Sequence, residues 1–207
     1  MSKEPVQGSI EWKKARYGNI SASRIADMLA TTKSGESASR ANYRAQLVAE
    51  RMTGTSEDSF TSAAMAWGTE TEPLARAAYE ISMDIMVDEV GYIIHPEIPK
   101  SGASPDGMIE SDGLIEIKCP NTATHIKYLL AGVPPSQYAP QMAWQIACTK
   151  RKWCDFASFD PRMDEQDQLF VVRYIPEHGY IDFLEGEVKR FNAEIDDMIN
   201  AIISKRK

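Results

Sequence analysis

Asp106, in Ser-Pro-Asp-Gly (104–107), and Glu116 and Lys118, in Leu-Ile-Glu-Ile-Lys (114–118), place two carboxylates and an ammonium close together in segments that otherwise have strand character. Side chains alternate faces along a strand, so Glu116 and Lys118 share one face and Ile115 and Ile117 the other. The isoleucines belong to the core, which leaves a carboxylate and an ammonium projecting together from a buried strand. Two carboxylates plus a backbone carbonyl form a set of hard oxygen ligands, suited to Mg²⁺ or Mn²⁺ rather than to zinc. A phosphodiester would complete the coordination, with Lys118 stabilising charge near an attacking oxygen. The competing reading is a Glu116–Lys118 ion pair on a solvated sheet face. It would be preferred for an isolated Glu-x-Lys, whereas Ser-Pro-Asp-Gly followed by Glu-Ile-Lys on a buried strand favours the metal site.

Whether Asp106 joins that face depends on the turn between the two segments, Glu-Ser-Asp-Gly at 110–113, whose Asp-Gly pair signals a hairpin. A two-residue loop of Ser111 and Asp112 pairs 110 with 113 and puts Asp106 opposite Ile117, on the core face. A three-residue loop, Ser111 to Gly113, pairs 110 with 114 and brings Asp106 opposite Lys118, on the face of Glu116. Gly113 would supply the left-handed residue that such loops need, so turn and chemistry both favour the second register. Pro105 interrupts regular ladder bonding just before Asp106.

The elements that position these residues follow from periodicity. Apolar positions in IEWKKARYGNISASRIADMLA predict two short helices, broken at Gly18, with Ser21 at the cap of the second. TTKSGES reads as a loop, Ser37–Met52 as a helix ending near Gly54, and SAAMAWGTETEPLARAAYEIS as a further helix with Pro73 near its start or at a kink. IMVDEVGYIIH, SGASPDGMI and GLIEIK have strand pattern; THIKYLLAG and SQYAPQMAWQIACT are helices around the turn GVPP. KWCDFASFD and DQLFVVRYI return to strand, and a long amphipathic helix closes the chain from Gly179. The fold class expected is α/β (α+β), a central mixed β-sheet flanked by helices.

With 207 residues, 43% hydrophobic and 26% charged, the chain fits a single domain over 1–207. No apolar run reaches the roughly 20 residues of a membrane span, and the polar start lacks the apolar stretch of a signal peptide, so a soluble, cytoplasmic protein is expected. Cys119, Cys148 and Cys154 include no C-x-x-C pair and read as reduced core residues; His95, His125 and His178 are scattered. The net charge of −7 argues against a protein that coats nucleic acid over its whole surface. Residues 1–51 nevertheless carry +4 and the remainder −11. That asymmetry fits an enzyme holding DNA in one groove, or a solvated basic helix face.

The 104–120 stretch resembles the PD-(D/E)xK nuclease signature, and in detail the phage-type alkaline exonucleases of the lambda exonuclease and YqaJ-like viral recombinase family. EWKKARYGNISASRIADML is similar to that family's N-terminal segment, AMAWGTETEP to its W-G-x-x-x-E helix, and YAPQMAWQIACTKRKWCDFASFDPRM to its glutamine helix and the strand running up to Asp-Pro-Arg. The resemblance implies a restriction-endonuclease-like core. It implies Asp106, Glu116 and the Ile117 carbonyl as Mg²⁺ ligands, Lys118 at the attacking water, Glu72 beside a second ion and Gln141 facing the same cleft. Mn²⁺ would substitute for Mg²⁺. Arg16 and Ser23 fall where the family holds the 5′ phosphate of a DNA end; read without the resemblance, they are equally a surface helix residue and a helix cap. Trp67 reads as core. The family's further basic residue after Lys-Cys-Pro is missing, and Thr124 and His125 stand there.

The implied activity is 5′-to-3′ digestion of double-stranded DNA with 5′-phosphorylated ends, leaving 3′ single-stranded tails for recombination in a phage or mobile element. The implied partners are DNA, a single-strand annealing protein and further copies of the chain in a ring-shaped trimer, acting in a bacterial host's cytoplasm. Two alternatives remain. A restriction-type endonuclease would need a base-reading insertion, which the chain lacks. A non-catalytic DNA-end-binding module would be marked by loss of Asp106, Glu116 or Lys118, and all three are present. Three cysteines exclude an iron–sulfur version.

Overall fold

The computed structural model describes residue 5 and residues 7–33, 35–56 and 62–206, so residues 1–4 and 6 of the polar start and Ser34 of the expected loop lie outside it. Helix α1 (Ile10–Arg16) starts at Ser9, whose side chain accepts from Trp12 N. It ends in a turn at Gly18, where φ is +68° and an added Cβ would meet Arg51 Cγ at 2.8 Å, so glycine is needed on both counts. Strand β1 (Ile20–Ser21) leads through a 3-10 turn into α2 (Ile25–Leu29). Ser21 occupies the cap position of that turn but makes no capping bond; its backbone N donates to Tyr43 Oη at 3.0 Å instead. The expected loop over 31–37 is a small hairpin, β2 (Thr31–Thr32) and β3 (Gly35–Glu36). Arg40 and Arg44 hold Glu36 at its base.

Helix α3 (Ala38–Thr53) is capped by Ser37 and stops at Gly54 in the left-handed region, as expected. Helix α4 (Ala63–Met83) runs through Pro73, which lies in its interior rather than at its start. Strands β4 (Val87–Asp88), β5 (Ile93–Ile94), β6 (Ser101–Ala103), β7 (Gly107–Ile109) and β8 (Gly113–Lys118) precede helices α5 (Thr122–Ala131) and α6 (Ala139–Thr149). Strands β9 (Trp153–Phe159) and β10 (Leu169–Tyr174) and helix α7 (Tyr180–Ile203) complete the chain.

The strands form a mixed five-stranded sheet, β10-β9-β8-β7-β4, a three-stranded sheet, β1-β6-β5, and the β2-β3 hairpin. Helices flank the sheets, which is the α+β class expected. The segment expected as one strand over 101–109 is split between the two larger sheets, and Ser104, Pro105 and Asp106 are the joint. Pro105 has no N–H for a ladder, so pairing stops there and restarts at Gly107.

Both faces of β8 are covered. Ile115 and Ile117 pack with Ala75 and Tyr79 of α4, and Leu114 packs with Tyr128, Met142 and Ile146 of α5 and α6. Residues 142–148 of α6 are all buried, because the helix bridges this cluster and a second core that contains Trp144, Tyr43, Leu47 and Phe191. A glutamine pair on α6 is thereby brought beneath a carboxylate on β8.

Candidate active site

The β7-β8 ladder pairs Gly107 with Ile115 and Ile109 with Gly113. The loop is therefore Glu110, Ser111 and Asp112, not Ser111 to Gly113. Glu110 takes the left-handed conformation at φ +47°. Gly113 lies in the strand, under the Trp153 ring, which a Cβ would strike at 2.1 Å. Arg151 Nη1 pins the loop by donating to the carbonyls of Ile109, Glu110 and Gly113 at 2.8–3.0 Å. The ladder is offset by two positions from the expected one, and a side-chain period of two leaves every residue on its expected face. Extending it by one pair sets Asp106 across from Glu116.

Asp106 Oδ2 accepts from Ile117 N at 2.6 Å. A strand residue directs its N–H and C=O to the same side, so the Ile117 carbonyl also faces this open end of the ladder. Asp106 has no other hydrogen bond among the described residues. Its burial and then the Glu116 charge hold its pKa well above the ordinary carboxylate value.

Glu116 is fully buried, and three groups supply the hydrogen-bond and ion-pair partners that a buried carboxylate requires. Gln141 Nε2 donates to Oε1 and Gln145 Nε2 to Oε2, each at 2.6 Å, and Lys118 Nζ forms an ion pair with Oε1. Burial alone would lower the Lys118 pKa, but the Glu116 and Asp106 carboxylates outweigh it and raise it. The ammonium also lies 5.1 Å from the Tyr138 ring centroid. Gln145 is the member that sequence reasoning missed. Its signal was the spacing of four from Gln141, which puts both amides on one helix face.

Glu72, on α4, is near enough for Glu116 to help raise its pKa, after the larger effect of burial. Its Oε1 accepts from Arg76 Nη2 at 2.9 Å. Among the described residues no three His, Cys, Asp or Glu side chains converge as a metal cage. The set that does meet is two carboxylates and a main-chain carbonyl, with Glu72 at its margin. Glu72 is paired with Arg76, which leaves the Asp106 and Glu116 carboxylates facing Lys118, and this excess of carboxylate over ammonium on hard oxygen donors fits a divalent cation such as Mg²⁺.

The same excess predicts a stability effect. In metal-free solution Asp106→Asn is expected to be more stable than the parent by about 1 kcal/mol, since the amide still accepts from Ile117 and relieves repulsion with Glu116. Added Mg²⁺ should raise the melting temperature of the parent and leave the variant unmoved. A variant that melted lower, or that Mg²⁺ stabilised equally, would contradict the ligand assignment.

Beyond Asp106, the joint between the sheets leads to a second feature. Trp12 Nε1 donates to Ser104 Oγ at 2.9 Å, and the Arg16 guanidinium stacks 4.1 Å from the Trp12 ring. Arg16, Ser21, Ser23, Arg24 and Lys13 line a cavity of about 410 Å³. Arg16 is half-buried and has no ion pair among the described residues; burial lowers its pKa. Glu50 also lines the cavity, but its oxygens are turned to Gly18 N, Gln46 and Ser56. The cavity is thus short of an anion, and its Trp12 wall is bonded to Ser104, two residues before Asp106. The sequence named Arg16 and Ser23; Lys13 and Arg24 become part of the same wall only when α1 and α2 fold together.

His125 is buried, with Nε2 2.9 Å from the Asp167 carbonyl and Nδ1 2.7 Å from Ser158 Oγ. A carbonyl only accepts, so Nε2 donates to it, and with Nδ1 on the Ser158 hydroxyl neither nitrogen is left for a phosphate. Thr124 lies in the first turn of α5, half-buried.

Residues 11–152 match the model of the YqaJ-like viral recombinase domain. Among solved structures, the chain is similar to an alkaline exonuclease, LHK-Exo, from Laribacter hongkongensis, with 47% identity and a TM-score of 0.89 over 95% of this chain and 97% of that one. The structure of LHK-Exo in complex with dAMP matches at 48% identity and a TM-score of 0.88, with the same coverage. A phage related exonuclease from Haemophilus somnus 129PT shares the fold at 13% identity, with a TM-score of 0.69 over 90% of this chain and 97% of that one. A search of the curated proteins gave no match.

Proposed function

The chain belongs to the family of YqaJ-like viral recombinase domains, and from that premise we propose that it is a Mg²⁺-dependent 5′-to-3′ exonuclease acting on double-stranded DNA. The observation that carries this reading is the adjacency of an anion-seeking cavity and a cluster of hard oxygen ligands, joined through Trp12 and Ser104. A DNA end whose 5′ phosphate sat against Arg16 and Ser23 would present its next phosphodiester to Asp106, Glu116 and Lys118.

In this reading Asp106, Glu116 and the Ile117 carbonyl hold Mg²⁺, with Glu72 beside a second ion and Mn²⁺ able to substitute. Bound there, the metal would polarise the phosphoryl oxygen and lower the pKa of a water. Gln141 and Gln145 fix the plane of Glu116, as hydrogen-bond donors behind a ligating carboxylate do. Lys118, whose ammonium lies on Glu116 Oε1, would stabilise the charge developing on the attacking oxygen. The nuclease is proposed to be one domain over 1–207, working in a bacterial cytoplasm for a phage or mobile element. No described helix is long and apolar enough to cross a membrane. A ring-shaped trimer around DNA and a single-strand annealing partner belong to the same proposal. Its support is the family and the contrast between a basic first quarter and an acidic remainder.

The test of the end-binding part is the initial rate on matched duplexes with 5′-phosphoryl and 5′-hydroxyl ends. Charge-assisted hydrogen bonds to a terminal phosphate are worth about 1.5–3 kcal/mol, so the parent should prefer the phosphorylated end by about tenfold or more. Arg16→Ala should lose most of that preference. Equal rates on both ends in the parent would refute the assignment. A variant that slowed equally on both would make Arg16 a general contact.

A further inference from the structure

Arg162, in the Asp-Pro-Arg segment after β9, has no part in the site described above. The parallel β8-β9 ladder ends at Lys118 paired with Ser158, and two residues further out Pro120 and Asp160 lie side by side. Asp160 is fully buried. Arg162 donates to it from Nε at 2.6 Å and Nη2 at 3.0 Å, and Nη2 also reaches the Pro120 carbonyl at 3.1 Å. Its guanidinium lies 4.7 Å from the Trp67 ring centroid. The side chain is still 46% exposed, and Nη1 has no partner among the described residues. The Trp67 indole N–H is buried and likewise unpartnered.

This group is contiguous with the acidic cluster. Between them is Cys119, whose thiol burial pushes up to about 12, with smaller contributions from Glu72, Asp106 and Asp160. Across this edge of the sheet the order is Arg162 past β9, Lys118 at the end of β8, Asp106 before β7, and then Ser104, Trp12 and Arg16. Arg162 and Arg16 therefore flank the oxygen ligands on opposite sides.

We propose that Arg162, set on Trp67 and clamped by Asp160, binds a backbone phosphate of the strand being shortened, on the 3′ side of the scissile bond. The proposal rests on the exonuclease reading for which strand is held, though not for whether DNA is held. A guanidinium fixed by a carboxylate along one edge and an aromatic ring on one face loses little freedom on binding, and its free Nη1 edge is offered to an anion. An arginine serving only to clip the 160–168 segment would need neither the open edge nor the exposed position beyond the end of β8.

The test uses the Glu116→Gln protein, so that DNA stays intact, and a short blunt duplex with 5′-phosphoryl or 5′-hydroxyl ends. Arg162→Gln should weaken binding and make the plot of log affinity against log salt shallower by about 1, the mark of one lost phosphate contact. Arg162→Lys should recover most of the slope. The loss should be the same for both kinds of end, whereas an Arg16 effect depends on the 5′ phosphate, so the two assignments fail separately. In the Arg162-intact protein, duplex DNA should shield Arg162 from phenylglyoxal, read by mass spectrometry. An unchanged salt slope in a folded Arg162→Gln protein would overturn the proposal. So would an unshielded Arg162, and that reading decides the matter if the Gln variant does not fold.

Discussion

Glu116→Gln is expected to bind duplex DNA with near-parental affinity and to hydrolyse it at least about a thousandfold more slowly, a barrier increase of about 4 kcal/mol. The substitution removes one ligand charge while preserving shape. Its structural cost should be small, because the Gln145 amide can turn its oxygen to the new N–H₂ and its only loss is a weak contact with Cys154 at 3.9 Å. Gln141 and Lys118 then still face an oxygen. The paired measurement is duplex binding and initial rate at saturating Mg²⁺. A variant retaining near-parental degradation would remove Glu116 from the metal site.

Lys118→Met should slow hydrolysis by about a hundredfold to a thousandfold, the typical loss when one preorganised charge stabiliser is removed. Methionine keeps the apolar stem beside Tyr138 and leaves Glu116 with both glutamine donors, so the fold should persist. The loss should fall on kcat with little change in KM, since the ammonium acts on charge that develops in the transition state. A rise in KM at constant kcat would instead make Lys118 a ground-state DNA contact.

The site was legible in the sequence where a period of two or a local signal decides position. Asp106, Glu116 and Lys118 were placed on one face through the three-residue hairpin, and the face survived although the loop lies one residue earlier at each end. A shift of two in pairing cannot change a face, whereas the position of the left-handed residue had no such protection. Gly113 looked like the residue for it, but Trp153, distant in sequence, occupies the space that a side chain there would need. The break at Pro105 was visible as a proline; that it joins two sheets was not, because β6 pairs with β1, which lies several helices earlier in the chain. TTKSGES read as a loop because no apolar pattern marks its hairpin, and its Glu36 is held by Arg40 and Arg44 on the following helix. Gln145 was hidden among apolar neighbours on a helix buried on all sides, and only contact with Glu116 gives it a purpose. The sequence left open whether Thr124 or His125 replaces the family's basic residue, because the partners of the ring, Ser158 and Asp167, are distant in sequence and account for both its nitrogens only in the fold.

The most direct test of the central claim is product analysis on a linear duplex labelled separately at its 5′ and 3′ ends, incubated with Mg²⁺ and with EDTA. The account predicts early release of 5′-terminal mononucleotides, retention of the 3′ label on a lengthening single strand, and no digestion in EDTA. Internal fragments, release from the 3′ end first, or digestion in EDTA would contradict it.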